Sequence, residues 1–160
     1  MMHCFPNGCI LDKDQYMYIY RVSFLSVLTA MCGFAKGKND IALVSLCGSL
    51  TSINYWRFPN YSWRRNTDMT VIILGVLYNF LRAYRCQYIM LYYLAGIISV
   101  SCYPASWYYY NKKKYWTSTY LHCMVHVFGN ATFYILYSSD IVPIHDNPLL
   151  NWLPLQLTPS

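Results

Sequence analysis

The sequence predicts an all-α integral membrane protein, a bundle of about five transmembrane helices. Of its 160 residues, 56% are hydrophobic and 11% are charged, whereas soluble domains average about 25% charged residues. Short clusters of Lys and Arg separate the apolar runs, as they do at the flanks of membrane spans. The 18 Tyr and 5 Trp favour the same class over an unusually hydrophobic soluble domain, because their amphipathic rings prefer the headgroup level of a bilayer.

The chain divides into a polar N-terminal segment (1–15), a helical bundle (16–137) and a Pro-rich tail (138–160). We expect the tail to be loose or to lie at the membrane interface. The candidate spans of the bundle are about 16–35, 40–56, 68–84, 87–106 and 115–137. A span needs roughly 20 apolar residues, and about 17 at the minimum, so the second and third spans are short.

Taken in order, the five segments differ in strength as spans. The first carries Arg21 near its start, and the second is short. The third is the weakest, because its uninterrupted apolar core is brief. Pro104 should end or kink the fourth helix, and the fifth contains His122 and His126. A thin bilayer, such as that of the endoplasmic reticulum, would tolerate the short spans best.

The distribution of Lys and Arg predicts the topology. With five spans, the N-terminus, the second loop and the fourth loop share one side of the membrane, and that side holds most of the basic residues. The positive-inside rule then places the N-terminus in the cytosol and the C-terminus in the lumen or outside the cell. Membrane lipid is the predicted partner. The net charge of +6 does not indicate nucleic-acid binding, because the basic residues lie between hydrophobic segments.

Two histidines stand out in the fifth segment. His122 and His126 are four residues apart, so a helix places them on one face, about 6 Å apart along its axis. This spacing can direct two imidazoles at one metal ion, although no Glu follows the first histidine as it would in a metalloprotease motif. The alternative is a pair of neutral histidines that form hydrogen bonds between helices.

A second polar group lies around the loop that joins the second and third spans. Ser52 is near the end of one span, and Asp68 begins the next. Because the second and fourth loops share a side, we expect both residues to lie at about the depth of His122. Asp68 has two simpler interpretations: it is a helix N-cap, or it pairs with Arg64 and Arg65.

These residues resemble the superfamily of membrane hydrolases that includes the alkaline ceramidases, the adiponectin and progestin receptors and the Per1-type proteins of lipid remodelling. That family carries Ser-x3-His at the end of one span, an Asp that opens the next, and His-x3-His in a late span. Ser52, Asp68, His122 and His126 match this pattern in order and spacing. The resemblance implies a zinc ion on the two histidines, with Ser52 and Asp68 as catalytic residues that position or activate its water for attack on a lipid amide or ester.

The chain departs from the family at one ligand and in its number of spans. Trp56 stands where the family has its third histidine, and an indole offers only an N–H donor. A catalytic zinc site usually has three protein ligands and a water, so Asp68 would have to complete a His2Asp set. The family has seven spans and this chain five. Two functions stay open: a degenerate zinc-dependent lipid hydrolase, and a non-enzymatic membrane scaffold or partner-binding protein without metal. A small channel or transporter is a weaker third.

Overall fold

The computed structural model describes residues 8–150, and over that range the chain forms helices and no strand. The prediction of an all-α protein is confirmed. The helices are α1 (Lys13–Ser23), α2 (Leu25–Ala35), α3 (Asn39–Trp56), α4 (Trp63–Arg82), α5 (Ile89–Asn111) and α6 (Tyr115–Ser138), followed by a short 3-10 turn (Ile144–Asp146).

The first two helices are halves of one longer helix. Phe24 separates them but keeps helical backbone angles (φ −67°, ψ −19°), so the whole element runs over Lys13–Ala35. It begins earlier than the apolar pattern indicates because Asp12 and Gln15 form a capping box, which satisfies free N–H groups of the first turn. It ends at Ala35, two residues before Gly37, whose φ of +69° is accessible to a residue without a Cβ.

Two helices in the described part of the chain are long and apolar enough to cross a membrane. They are Lys13–Ala35 and Ile89–Asn111, and they correspond to the first and fourth predicted spans. The other three predicted spans also form helices but are less apolar along their length, so a bundle with five spans stays a prediction. α5 continues past Pro104 to Asn111; the alternative in which Pro104 ends the helix is therefore wrong.

α4 begins at Trp63, before the third predicted span, and the residue at its N-cap position is Ser62. Asp68 consequently lies inside the helix, beyond the first turn. The interpretation of Asp68 as an N-cap is therefore wrong. The first turns of α4 consist mainly of polar residues, so hydropathy does not indicate that the helix begins there.

The helices pack pairwise, mainly around α3 and α6. α5 and α6 form a hairpin with the most extensive interface of the bundle, α3 packs against α2 and α4, and α6 also packs against α1 and α2. Helices approach closely at Gly75, where an added Cβ would lie 2.9 Å from the Cγ1 atom of Val44. Small residues of this kind allow close contact between helices.

The outer surface of the bundle is apolar and much of its interior is polar. α4 exposes Leu74 (60%) and Leu77 (56%), and α5 exposes Met90 (81%) and Ile97 (65%). Buried side chains include Ser45, Ser49, Ser52, Asn79, Ser99, Ser106, Ser118, Thr119 and Asn130. In soluble proteins these residue types have the opposite preference, and large exposed apolar surfaces mark contacts with membranes or partners.

The segment after α6 lies against the bundle instead of being loose, as far as residue 150. Arg82 Nη1 donates a hydrogen bond to the carbonyl oxygen of Val142 (2.6 Å), and Asn147 Nδ2 donates to the carbonyl oxygen of Leu81 (3.0 Å). Leu150 is fully buried. The remainder of the predicted tail, 151–160, lies outside the described residues.

Candidate functional site

Ser52 and Asp68 are in direct contact, as their positions at neighbouring helix ends suggest. The Ser52 hydroxyl donates a hydrogen bond to Asp68 Oδ1 (2.7 Å), and the Thr51 hydroxyl donates to the same oxygen (2.9 Å). Both Ser52 and Asp68 are buried. The carboxylate is therefore held by two hydroxyl groups of α3, and the catalytic role of Ser52 and Asp68 stays a prediction.

Within the described part of the chain, Asp68 forms no ion pair with Arg64 or Arg65, which lie in the first turn of α4. Arg64 instead donates hydrogen bonds to the carbonyl oxygens of Asn54 (3.4 Å) and Phe58 (3.0 Å). The guanidinium of Arg65 lies 5.3 Å from the ring centroid of Tyr61, a cation–π geometry. The arginines therefore order the loop between α3 and α4 and leave Asp68 to the hydroxyls.

The two histidines share one face of α6, as the sequence spacing requires. Their ring centroids are 5.5 Å apart. His122 also contacts two other aromatic rings, with centroid distances of 4.7 Å to Trp56 and 6.0 Å to Tyr103. The Nε2 atom of His126 is buried, and it has no hydrogen-bond partner within the described part of the chain.

Trp56 connects the two halves of the candidate site. It lies one helical turn beyond Ser52 on α3, it is buried, and its indole faces the imidazole of His122. The residue in the position of the family's third histidine thus contacts the first member of the histidine pair. The contact between the Trp56 and His122 rings therefore occupies the position at which a zinc site of the family's kind would need its third ligand.

The residues present do not fit a zinc site with three protein ligands. Among the side chains that the structure describes, which exclude that of His145, no group of three His, Cys, Asp or Glu residues could hold a metal ion. Asp68 is hydrogen-bonded to Ser52 and Thr51 and does not join the imidazoles, so the expected His2Asp set is not assembled. His122 and His126 offer two nitrogen ligands, and Trp56 cannot supply the third.

A polar chain next to the histidines was not anticipated from the sequence. Asn130 Nδ2 donates hydrogen bonds to the carbonyl oxygen of His126 (2.7 Å) and to Ser26 Oγ (2.9 Å). Ser45 Oγ donates to the carbonyl oxygen of Ser26 (3.1 Å). These contacts join α6, α2 and α3 through the interior. The sequence spacing does place Asn130 on the same face of α6 as the two histidines, one turn after His126.

A second polar cluster, partly buried, lies at the opposite end of the bundle, and it was also not predicted from the sequence. Asp40 Oδ2 accepts hydrogen bonds from Arg82 Nε (2.7 Å) and from the Tyr78 hydroxyl (2.8 Å). The Arg82 side chain is 5% exposed and that of Asp40 is 17% exposed. Asp40 lies in the first turn of α3 and Arg82 in the last turn of α4. Both therefore lie at the same end of two helices that are consecutive in the chain, as Ser52 and Asp68 do at the other end.

Fold and site together define a class, an all-α bundle with hydroxyl, carboxylate and imidazole groups in its interior. No protein-family model matches the chain, and no curated protein and no solved structure matches it either. The resemblance to the ceramidase-like hydrolases depends on Ser52, Asp68, His122 and His126.

Proposed function

We propose that the chain is a multi-pass membrane protein whose helix bundle lies in lipid. The observation that carries this proposal is the arrangement of surface and interior: large aliphatic side chains of α4 and α5 face outward, while Ser, Thr and Asn side chains are buried. In a bilayer, small and hydroxyl-bearing residues lie between helices because lipid tails are as apolar as Leu. The apolar lengths of Lys13–Ala35 and Ile89–Asn111 support the same proposal.

In this proposal Lys13–Ala35, α3, α4, α5 and α6 each cross the membrane, in an endomembrane such as the endoplasmic reticulum. The loops α3–α4 and α5–α6 then lie in the cytosol, where Lys and Arg are favoured, and the C-terminus lies in the lumen. Extraction of membranes with alkaline carbonate tests the first part: the chain should stay in the pellet, and release would contradict membrane integration. A glycosylation reporter after residue 160 should be modified, whereas an unmodified reporter would reverse the topology.

For the interior site we propose a non-enzymatic role, that of a membrane scaffold or partner-binding protein which retains part of a hydrolase-like core without its metal. Trp56 carries this proposal, because its indole packs on His122 where a third ligand would be needed. The hydrogen bonds from Ser52 and Thr51 to Asp68 support it, since they give the carboxylate a structural role.

Zinc content tests the non-enzymatic role. The full chain, purified in mild detergent with zinc present, should contain much less than one zinc ion per chain by elemental analysis. It should also leave lipid amides and esters intact. One zinc ion per chain in the parent protein that is lost in both His122→Ala and His126→Ala would overturn the proposal in favour of a hydrolase.

A zinc-dependent lipid amide or ester hydrolase is the second candidate, and one observation favours it. Buried polar atoms in proteins almost always have a hydrogen-bond partner, yet Nε2 of His126 has none in the described part of the chain. A nitrogen in this state has a lone pair or a proton available for a ligand. When bound, zinc lowers the pKa of its water and polarises a carbonyl group.

A further inference from the structure

An open groove lies between α1 and the first turn of α6, and neither His122 nor His126 lines it. It has a volume of about 450 Å³, and its lining residues are Lys13, Asp14, Met17, Tyr18, Arg21 and Trp116. Within the described part of the chain, the charged side chains of Lys13, Asp14 and Arg21 form no ion pair and no side-chain hydrogen bond. These three charges are therefore available to a ligand.

The groove lies at the level of the membrane interface if the chain spans the bilayer, and in this respect the inference rests on the proposed function. Trp116 is the second residue of α6, and its ring meets that of Tyr18 edge to face at a centroid distance of 5.7 Å. Lys112 and Lys114 precede it beside Tyr108 and Tyr109. Aromatic and basic residues in this combination mark the headgroup level.

The charges of the groove are arranged along the axis of α1. Asp14 lies in the first turn of the helix and Arg21 in its last turn, roughly 10 Å apart along the axis at 1.5 Å per residue. Met17 and Tyr18 lie between them on the same face, and Trp116 forms the opposite wall. The groove therefore presents a carboxylate and the neighbouring lysine ammonium toward the water, a guanidinium toward the membrane interior and aromatic rings beside them.

We propose that this groove binds the headgroup of a zwitterionic phospholipid, one that carries a phosphodiester and a terminal ammonium group. In a bilayer the phosphate lies deeper than the ammonium, which matches the deeper position of Arg21 and the shallower position of Asp14. Guanidinium–phosphate contacts are strong charge-assisted hydrogen bonds. Asp14 attracts the ammonium, and the rings of Trp116 and Tyr18 add cation–π attraction. Lys13 and Arg21 would also attract an anionic headgroup, but a headgroup without an ammonium would leave Asp14 without a cationic partner.

Lipid retention tests the proposal. The full chain in mild detergent is supplied with equal amounts of phosphatidylcholine, phosphatidylethanolamine and phosphatidylglycerol, and the lipids that remain bound are measured by native mass spectrometry. The two zwitterionic lipids should be retained over phosphatidylglycerol. Arg21→Ala should reduce this retention about tenfold, the size expected for losing a hydrogen bond to a charged group. Trp116→Ala should reduce it about threefold, as expected for losing a partly exposed cation–π contact.

Matched controls are available at the same end of the bundle. Arg57 is an exposed cation and Trp107 is 67% exposed, and neither lines the groove, so Arg57→Ala and Trp107→Ala should retain lipid like the parent. Asp14→Asn should raise phosphatidylglycerol retention relative to phosphatidylcholine, a change of preference that a merely structural effect would not produce. Equal retention in groove and control variants, or no preference for zwitterionic lipid, would overturn the proposal.

This outcome is separable from the membrane proposal itself. Release of the chain by carbonate contradicts membrane integration. A chain that stays in the pellet but shows equal lipid retention in all variants contradicts the groove alone.

Discussion

The indole of Trp56 packs against the imidazole of His122, with ring centroids 4.7 Å apart and planes inclined by 60°. Trp56 is buried, so the contact belongs to the core of the bundle. It joins α3 to α6 at the point where the resemblance to membrane hydrolases would require a metal ligand. A different side chain at position 56 would therefore also lie next to the imidazole of His122.

Replacing Trp56 with His should raise the zinc content of the purified protein. A third imidazole at this position would face His122 and complete a set of three nitrogen ligands, the number that catalytic zinc sites usually have. Elemental analysis of purified Trp56→His should give about one zinc ion per chain. The control is Trp56→His combined with His126→Ala, which should lose the metal. Zinc that stays in the control would show that it binds elsewhere.

Ser52→Ala should destabilise the bundle by about 1–2 kcal/mol, because the buried carboxylate of Asp68 loses one of its two hydroxyl donors. Thermal unfolding in detergent measures the change. Ser101→Ala, at an exposed position of α5, is the matched control and should unfold like the parent. In a double-mutant cycle with Asp68→Ala, a coupling energy of zero would contradict the contact between Ser52 and Asp68.

Gly33→Ala should destabilise the interface between α2 and α6 by about 1–3 kcal/mol. A Cβ at Gly33 would lie 2.5 Å from Cζ of Tyr137, and the Tyr137 ring is buried and cannot move without displacing its neighbours. Gly96→Ala is the control, since its nearest contact would be an ordinary 3.9 Å from Thr132. Because Ala favours helix over Gly, Gly96→Ala should unfold at the parent's temperature or above it. Equal effects of the two substitutions would contradict the predicted close approach.

Arg82→Ala should destabilise the protein by about 2 kcal/mol, because it leaves the partly buried carboxylate of Asp40 without its cation. It should also release the segment after α6, since Arg82 donates to the carbonyl oxygen of Val142. Limited proteolysis should then cut between residues 141 and 150 faster than in the parent. Arg85→Ala, an exposed cation close by, should leave the cleavage rate unchanged. Equal cleavage in the two variants would argue against a role for Arg82 in holding the segment.

Much of the helical organisation could be predicted from the sequence, because an apolar run of sufficient length has few alternatives to a helix. The first and last residues of the helices were harder to predict where polar residues form part of a helix. The first turns of α4 contain Arg64 and Arg65. They are therefore not part of an apolar run, and the predicted span begins later than the helix. Pro104 lies inside α5 without ending it, since α5 continues to Asn111. Local preference could not reveal this, because contacts with α6 stabilise the helix beyond the proline.

The sequence alone determined the helical class, the order of the helices and the shared face of His122 and His126, because these follow from composition and from the period of a helix. Only the tertiary structure decided which polar groups meet. It placed Ser52 on Asp68, Trp56 on His122 and Arg82 on Asp40. Each of these contacts joins different helices, so it depends on how the helices rotate and pack against one another, and no local pattern in the chain specifies that rotation.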